Sequence, residues 1–160
     1  MSDSTIFTIG HSNHLMPDFI KILNDNYIDT LIDIRSSPYS KHVPQFNKKQ
    51  LQESMENVSI EYIFLGPNIG GKPRDAKYYK DGKVNYQILS RTLKFKDGIR
   101  ELTILSKDHK IVLMCSEENP YNCHRHHLIG QNLLKKGFKV THIRKNGVLE
   151  PVKDFQNTLF

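Results

Sequence analysis

The sequence predicts an α/β fold of three αβα layers around a mainly parallel five-stranded sheet, Rossmann-like in its winding. Short apolar runs alternate with segments of helical periodicity along the chain, the pattern of a parallel sheet covered on both faces. At 160 residues the chain has the size of one domain, residues 1–160, with room for a real core. Four motif-bearing segments each follow a predicted strand, so a parallel sheet gathers them at its carboxyl edge, where open α/β sheets bind ligands.

In chain order, Thr5–Ile9 reads as a short buried strand. Pro17–Asn26 carries Phe19, Ile20 and Leu23 at helical spacing, and Pro17 suits a first helical position. Thr30–Ile34 is a second apolar strand, and the polar, proline-bearing Ser36–Phe46 is loop. Asn47 is placed to cap a helix over Lys48–Asn57 with Leu51 and Met55 inward. Ile60–Leu65 is the third strand. Gly66–Gly82, rich in glycine and charge, reads as a long loop, and long loops in compact domains are often functional. Val84–Leu93 and Gly98–Leu105 read as helices with a break around Asp97-Gly98. Lys110–Met114 is the fourth strand, His126–Lys136 a helix ended by Gly137, Lys139–Ile143 the fifth strand, and Asn146-Gly147 a turn.

Composition narrows the function classes. A 38% hydrophobic, 25% charged chain is that of a soluble globular protein. No apolar run approaches the roughly 20 residues of a membrane helix, and the N-terminus lacks a secretory pattern. A cytoplasmic location is expected, with the two cysteines as reduced thiols rather than a disulfide framework. The net charge of +6 is uneven: the first 32 residues hold four aspartates against one lysine, and the basic excess lies beyond them. Such a surface favours phosphate-bearing partners, nucleic acid included. A lysine-rich solvated face is the plain alternative, since the chain has no nucleic-acid fold motif and no long arginine cluster.

The chemistry concentrates in Ile111–Gly130, where an apolar run ends in Cys115, a proline-bearing loop follows, and Cys123-His124-Arg125 opens a helix. A helix N-terminus offers unpaired N–H groups and a dipole that favours negative charge. Arg125 is expected to fork onto a phosphate or carboxylate, against the alternative of an ion pair with Glu117 or Glu118. Arg35 is a second anion ligand, against a structural pair with Asp33. Cys115 is either an inert buried thiol or a nucleophile activated by the helix and Arg125, and Cys123, nearest the helix start, feels the dipole most. Nine residues separate Cys115 from Arg125 and one separates Cys123 from it, neither being the Cys-x5-Arg loop of cysteine phosphatases. His11 is a candidate proton carrier or a cap for the next element. Ser12, Ser40, Glu117 and His124 complete the expected ligand-binding set, with Tyr39, Phe46 and Tyr62 as stacking or core aromatics. A zinc tetrad of Cys115, Cys123, His124 and His11 has suitable residue types but no standard spacing, so no metal is assigned. No cofactor or oligomeric state can be named.

Cys115-x-Glu117-x-x-Pro120-x-x-Cys123-His124-Arg125 resembles the motif of the family named domain of unknown function 488. Thr8-Ile9-Gly10-His11-Ser12, Asp33-Ile34-Arg35 with Pro38, Ser40, Pro44 and Phe46, and His142-Ile143 followed by Gly147 resemble its other blocks. The family's Leu-Gly-Gly run is replaced by Leu65-Gly66-Pro67-Asn68-Ile69-Gly70-Gly71. The resemblance implies a compact α/β fold and no established activity. A weaker resemblance, to rhodaneses, rests on Leu31–Arg35, on the Ile111–Cys115 strand and on Gly137-Phe138-Lys139-Val140, and implies a persulfide on Cys115. The longer Cys loop here departs from that pattern.

The leading expectation is an enzyme that binds an anionic ligand, a nucleotide or another phosphate compound, at the carboxyl edge. A sulfurtransferase or persulfide carrier and a non-enzymatic nucleic-acid-binding module are the alternatives.

Overall fold

A computed structural model of the protein describes residues 5–153. Strands β1 (Thr5–Gly10), β2 (Thr30–Asp33) and β3 (Glu61–Phe64) alternate with helices α1 (Met16–Asp25) and α2 (Lys48–Glu56). A short helix α3 (Gly66–Ile69), a hairpin of β4 (Tyr79–Lys80) and β5 (Lys83–Val84), a helical turn α4 (Tyr86–Leu89) and the long helix α5 (Leu93–Asp108) lead to β6 (Ile111–Cys115). A π-helical segment, Arg125–Gly130, runs into α6 (Gln131–Lys135), followed by β7 (Lys139–Ile143) and β8 (Leu149–Pro151).

The main sheet has six strands in the order β3-β2-β6-β1-β7-β8. All five expected strands are in it and pair in parallel. The unexpected sixth, β8, runs antiparallel on the β7 edge. Gly147, at φ +83°, closes the turn that sends it back, and the Arg144 N–H donates to the Val148 carbonyl at 2.9 Å. Pro151 is tolerated because the strand is outermost.

From β1 to β3 the chain steps one way across the sheet, and from β3 through β6 to β7 it steps back. The two directions put helices on opposite faces. Phe19 and Leu23 of α1 and Leu51 and Met55 of α2 pack with Phe7, Ile9, Leu31, Val112 and Met114. Phe95, Ile99 and Leu102 of α5 pack with Leu128, Ile129, Leu133 and with Ile6, Ile32, Leu113 and Val140. Alternation along each strand divides the two layers. The winding reverses around β1 and β6, so their carboxyl ends flank the natural ligand crevice. Among the described residues no helix is long and apolar enough to cross a membrane.

Five local expectations need correction. The helix expected over Val84–Leu93 shrinks to α4, with Val84 in β5 and Leu93 opening α5. Helix α5 runs unbroken for 16 residues through Asp97-Gly98. Gly98 marks a close helix–helix contact, since a Cβ there would come within 2.5 Å of Ile69 Cγ2. Asn47 does not cap α2 with its side chain; its Oδ1 accepts the Ser40 N–H at 2.7 Å and braces the preceding loop. Gly66–Gly82 is not structureless, holding α3, a 3₁₀ turn at Ala76–Tyr78 and β4. The helix after Cys123 begins as a π turn, a widened geometry that often marks functional sites. Gly137, at φ +89°, ends α6 as expected, with Phe138 N–H donating to the Leu133 carbonyl at 3.1 Å.

Gly10, at the end of β1, carries the tightest contact: a Cβ there would lie 1.7 Å from the Glu117 carbonyl oxygen. The Cys loop rests on bare backbone. Gly10→Ala is expected to destabilise the protein by about 2–4 kcal/mol in urea unfolding, because backbone must move. Gly137→Ala has open space around its Cβ and should lose only about 1 kcal/mol, from strained φ. Equal losses at the two positions would refute the packing argument.

Candidate functional site

The loop from Cys115 to Arg125 is held from inside by the arginine that ends it. Arg125 is wholly buried. Its Nε donates to Thr8 Oγ1 at 3.1 Å, one terminal nitrogen to Cys115 Sγ at 2.9 Å and to the Glu117 carbonyl, and the other to the Glu118 carbonyl at 2.9 Å. The guanidinium expected to fork onto an incoming anion is thus engaged by the protein's own atoms. The local acids contribute backbone carbonyls rather than carboxylates. Glu118's carboxylate instead meets Arg144 at 3.2 Å, and Arg144 also reaches Glu150 at 3.2 Å.

Thr8 relays the arginine's influence inward. Its oxygen accepts from Arg125 Nε, so its hydroxyl proton is free to meet His142 Nδ1 at 2.5 Å. His142 Nε2 then donates to His126 Nδ1 at 3.0 Å. This single polarity requires both imidazoles neutral. Burial first, then the Arg125 charge, lowers the His142 pKa to about 3, and burial also lowers that of His126.

Arg35 is held differently. Its Nε and a terminal nitrogen clamp Asp33 at 2.9 and 2.8 Å, a buried bidentate pair, while Tyr62 donates its hydroxyl to the same carboxylate at 2.6 Å. Its other terminal nitrogen faces His11 Nε2 at 3.3 Å. His11 Nδ1 donates to the Ser12 carbonyl at 2.9 Å, leaving Nε2 as the acceptor. The ring stacks on Phe46 at 4.6 Å, and burial, with the Arg35 charge, lowers its pKa to about 4. His11 therefore stands as a neutral acceptor that orients Arg35.

The two thiols meet. Cys115 Sγ and Cys123 Sγ lie 2.8 Å apart, both as free cysteines. Cys123 also faces His124 Nδ1 and the Arg125 backbone N–H, each at 3.5 Å. His124 Nε2 donates to the Ile34 carbonyl at 3.1 Å, which turns Nδ1 toward the sulfur. Cys123 is drawn well below the ordinary thiol range, first by the Cys115 thiol donating to it and then by His124 and the Arg125 N–H. Cys115 is pushed up, chiefly by burial. One negative charge is thereby shared unequally, with Cys123 the thiolate and Cys115 its donor.

These sulfurs open onto a cavity of about 240 Å³ at the carboxyl edge, on the β2 side of β6. Arg35, Cys115, Glu117, Cys123 and His124 line it, as do residues not singled out from sequence, Ser36, Ser37, Lys72 and Tyr86 among them. Lys72 follows Gly70-Gly71, and a Cβ on Gly71 would press within 2.5 Å of the His124 ring. A glycine pair ahead of a lysine in a loop after a strand was the available signal. Arg125 and His11 lie behind the wall, joined to it through Cys115 and Arg35. Ser40 and Ser12 are not brought in: Ser40 Oγ accepts the His42 N–H of its own loop at 3.1 Å, and Ser12 Oγ reaches only Asn13. Among the described residues no group of three or more His, Cys, Asp or Glu side chains is arranged to hold a metal ion.

Two measurements probe this arrangement. Unfolded His11 and His142 titrate near 6.5, and in the fold near 4 and 3, so below pH 6.5 the unfolded chain binds the extra protons. Stability should fall on acidification by about 2 kcal/mol per histidine between pH 7 and pH 5, seen as a lower urea midpoint; an unchanged midpoint would contradict the neutral-histidine assignment. Replacing Arg125 with lysine, which cannot reproduce the fork, should lose about 3–5 kcal/mol. Arg144→Lys, on a partly exposed pair, should lose no more than about 1 kcal/mol.

A family model described as "Domain of unknown function DUF488" matches residues 16–131. The matched span holds Arg35, Cys115, Cys123, His124 and Arg125, and stops short of Thr8, His11 and His142. No curated protein and no solved structure matches the chain.

Proposed function

The chain belongs to the DUF488 family, and on that premise we propose that it is an enzyme that takes an anionic ligand at the carboxyl edge of its sheet and acts on it through the Cys123 thiolate. The observation that carries this reading is the setting of Cys123. A thiol donor, an imidazole and a helix N–H converge on its sulfur, and that sulfur lines a cavity shared with Lys72 and with the Asp33-paired Arg35.

Each residue then has a role. Lys72, exposed at the cavity, draws in a phosphate or carboxylate, and Arg35, its charge paired with Asp33, keeps N–H donors to meet it. Tyr86 offers a ring wall for a flat group such as a nucleotide base. His124 holds or returns the proton at Cys123 through Nδ1. His11 and Arg125 are positioning residues, the first acting through Arg35 and the second through the loop. Working thiolates fit the reducing interior of a cell, in line with a cytoplasmic location. A persulfide on Cys115 has less support, because that thiol is 3% exposed and held protonated by burial.

The reading is tested by iodoacetamide labelling with peptide mapping. A model thiol accelerates roughly a hundredfold between pH 6 and pH 8 as its thiolate fraction grows. Cys123 should label at a rate nearly independent of pH over that range, ahead of Cys115, and inorganic phosphate should protect it. Cys123 tracking the model thiol, or resisting the reagent altogether, would refute the proposal.

A further inference from the structure

Two thiols in contact are more than one nucleophile requires. We propose that Cys115 and Cys123 form a two-electron redox centre that reduces an anionic low-molecular-weight disulfide. This deepens the preceding reading and rests on it for the Cys123 thiolate, while adding a substrate class and a role for Cys115.

The geometry supplies each element. The sulfurs are 2.8 Å apart, so a bond of about 2.05 Å needs less than an ångström of further approach between them. Both line the cavity, whose wall also holds Lys72 and Arg35. Cys115, the less exposed of the two at 3% against 7%, sits behind its partner. Arg125 already donates to Cys115 Sγ at 2.9 Å. That contact satisfies a buried guanidinium donor while Cys115 keeps its proton, and it stabilises the thiolate when that must form. Attack on a phosphate or a carbonyl leaves the second thiol only its hydrogen bond; attack on a disulfide gives it a reaction, because the mixed disulfide must be resolved.

The steps balance. The Cys123 thiolate attacks one sulfur of RSSR, a new S–S bond forms to Cys123, the old one breaks, and RS⁻ departs. Cys115 gives its proton to that thiolate and attacks Cys123 Sγ. The Cys115–Cys123 bond forms, the mixed disulfide breaks, and a second RS⁻ leaves. The protein loses two electrons, and the disulfide is reduced to one RSH and one RS⁻.

The test treats the reduced full chain with glutathione disulfide, then blocks free thiols and maps peptides by mass spectrometry. The expected product is a Cys115–Cys123 crosslink with two glutathione thiols released per chain. Cys115→Ser should stop at a mixed disulfide on Cys123, and Cys123→Ser should not react. Lys72→Glu, an exposed change that leaves both thiols in place, should lower the preference for glutathione disulfide over neutral hydroxyethyl disulfide about tenfold. If Cys123 alkylates with a flat pH profile yet glutathione disulfide leaves both thiols free, the redox proposal fails and the thiolate reading stands. Wild type and Cys115→Ser accumulating the same mixed disulfide would overturn it equally, as would a chain that crosslinks with hydrogen peroxide but not with glutathione disulfide. Cys123 alkylating like a model thiol removes both readings.

Discussion

A guanidinium with no exposed surface is the constraint on which the rest of this structure depends. Burying an unsatisfied cation costs several kcal/mol, so every nearby element is arranged to meet Arg125's donors. Thr8 comes from β1, Cys115 from the end of β6, and two carbonyls from the loop between. Meeting them forces the loop flat over β1, which only a glycine at position 10 allows. The same closure brings Cys123 back onto Cys115. It also aims the Thr8 hydroxyl at His142, which settles the direction of the buried histidine chain.

The two interior arginines differ in what they leave behind. Arg35 is neutralised by the Asp33 carboxylate. Arg125 is met by carbonyls, a hydroxyl and a thiol, so its hydrogen bonds are satisfied while its charge is not. That residual positive charge explains why His142 stays neutral, and it favours a negative charge on the paired thiols above it. Burial decides which sulfur bears the charge, assigning it to the one with more donors and more exposure.

The parallel strands were legible because each is a run of apolar residues with alternating faces, a pattern set by the strand itself. β8 was hidden, since Leu149-Glu150-Pro151 has neither length nor apolar character and exists only because a turn folds it onto β7. The Asp97-Gly98 break was misread because glycine serves two purposes, and here it admits Ile69. At the site, residues next to one another in sequence were readily found. The engagement of Arg125 was not, because its key partner comes from the other end of the chain. Lys72, Ser36 and Ser37 come from loops, and Tyr86 from the start of α4, all placed by tertiary packing, with only the Gly70-Gly71 pair as a local sign. The histidine chain was equally hidden, since nothing in sequence joins Thr8 to His142 or His126.

The span of these contacts has a consequence in time. Thr8 and Arg125 are 117 residues apart, and Thr8 and His142 are 134 apart. Contacts that distant close late, after local helices have formed. Until the first of them closes, the Cys115–Arg125 loop lacks the anchor that Thr8 gives Arg125. Before then the guanidinium that donates to Cys115 has no fixed seat, and the loop that sets the two sulfurs together is not held down. The reactive pair is therefore a product of completed folding, and its appearance marks the moment at which the two ends of the molecule have met.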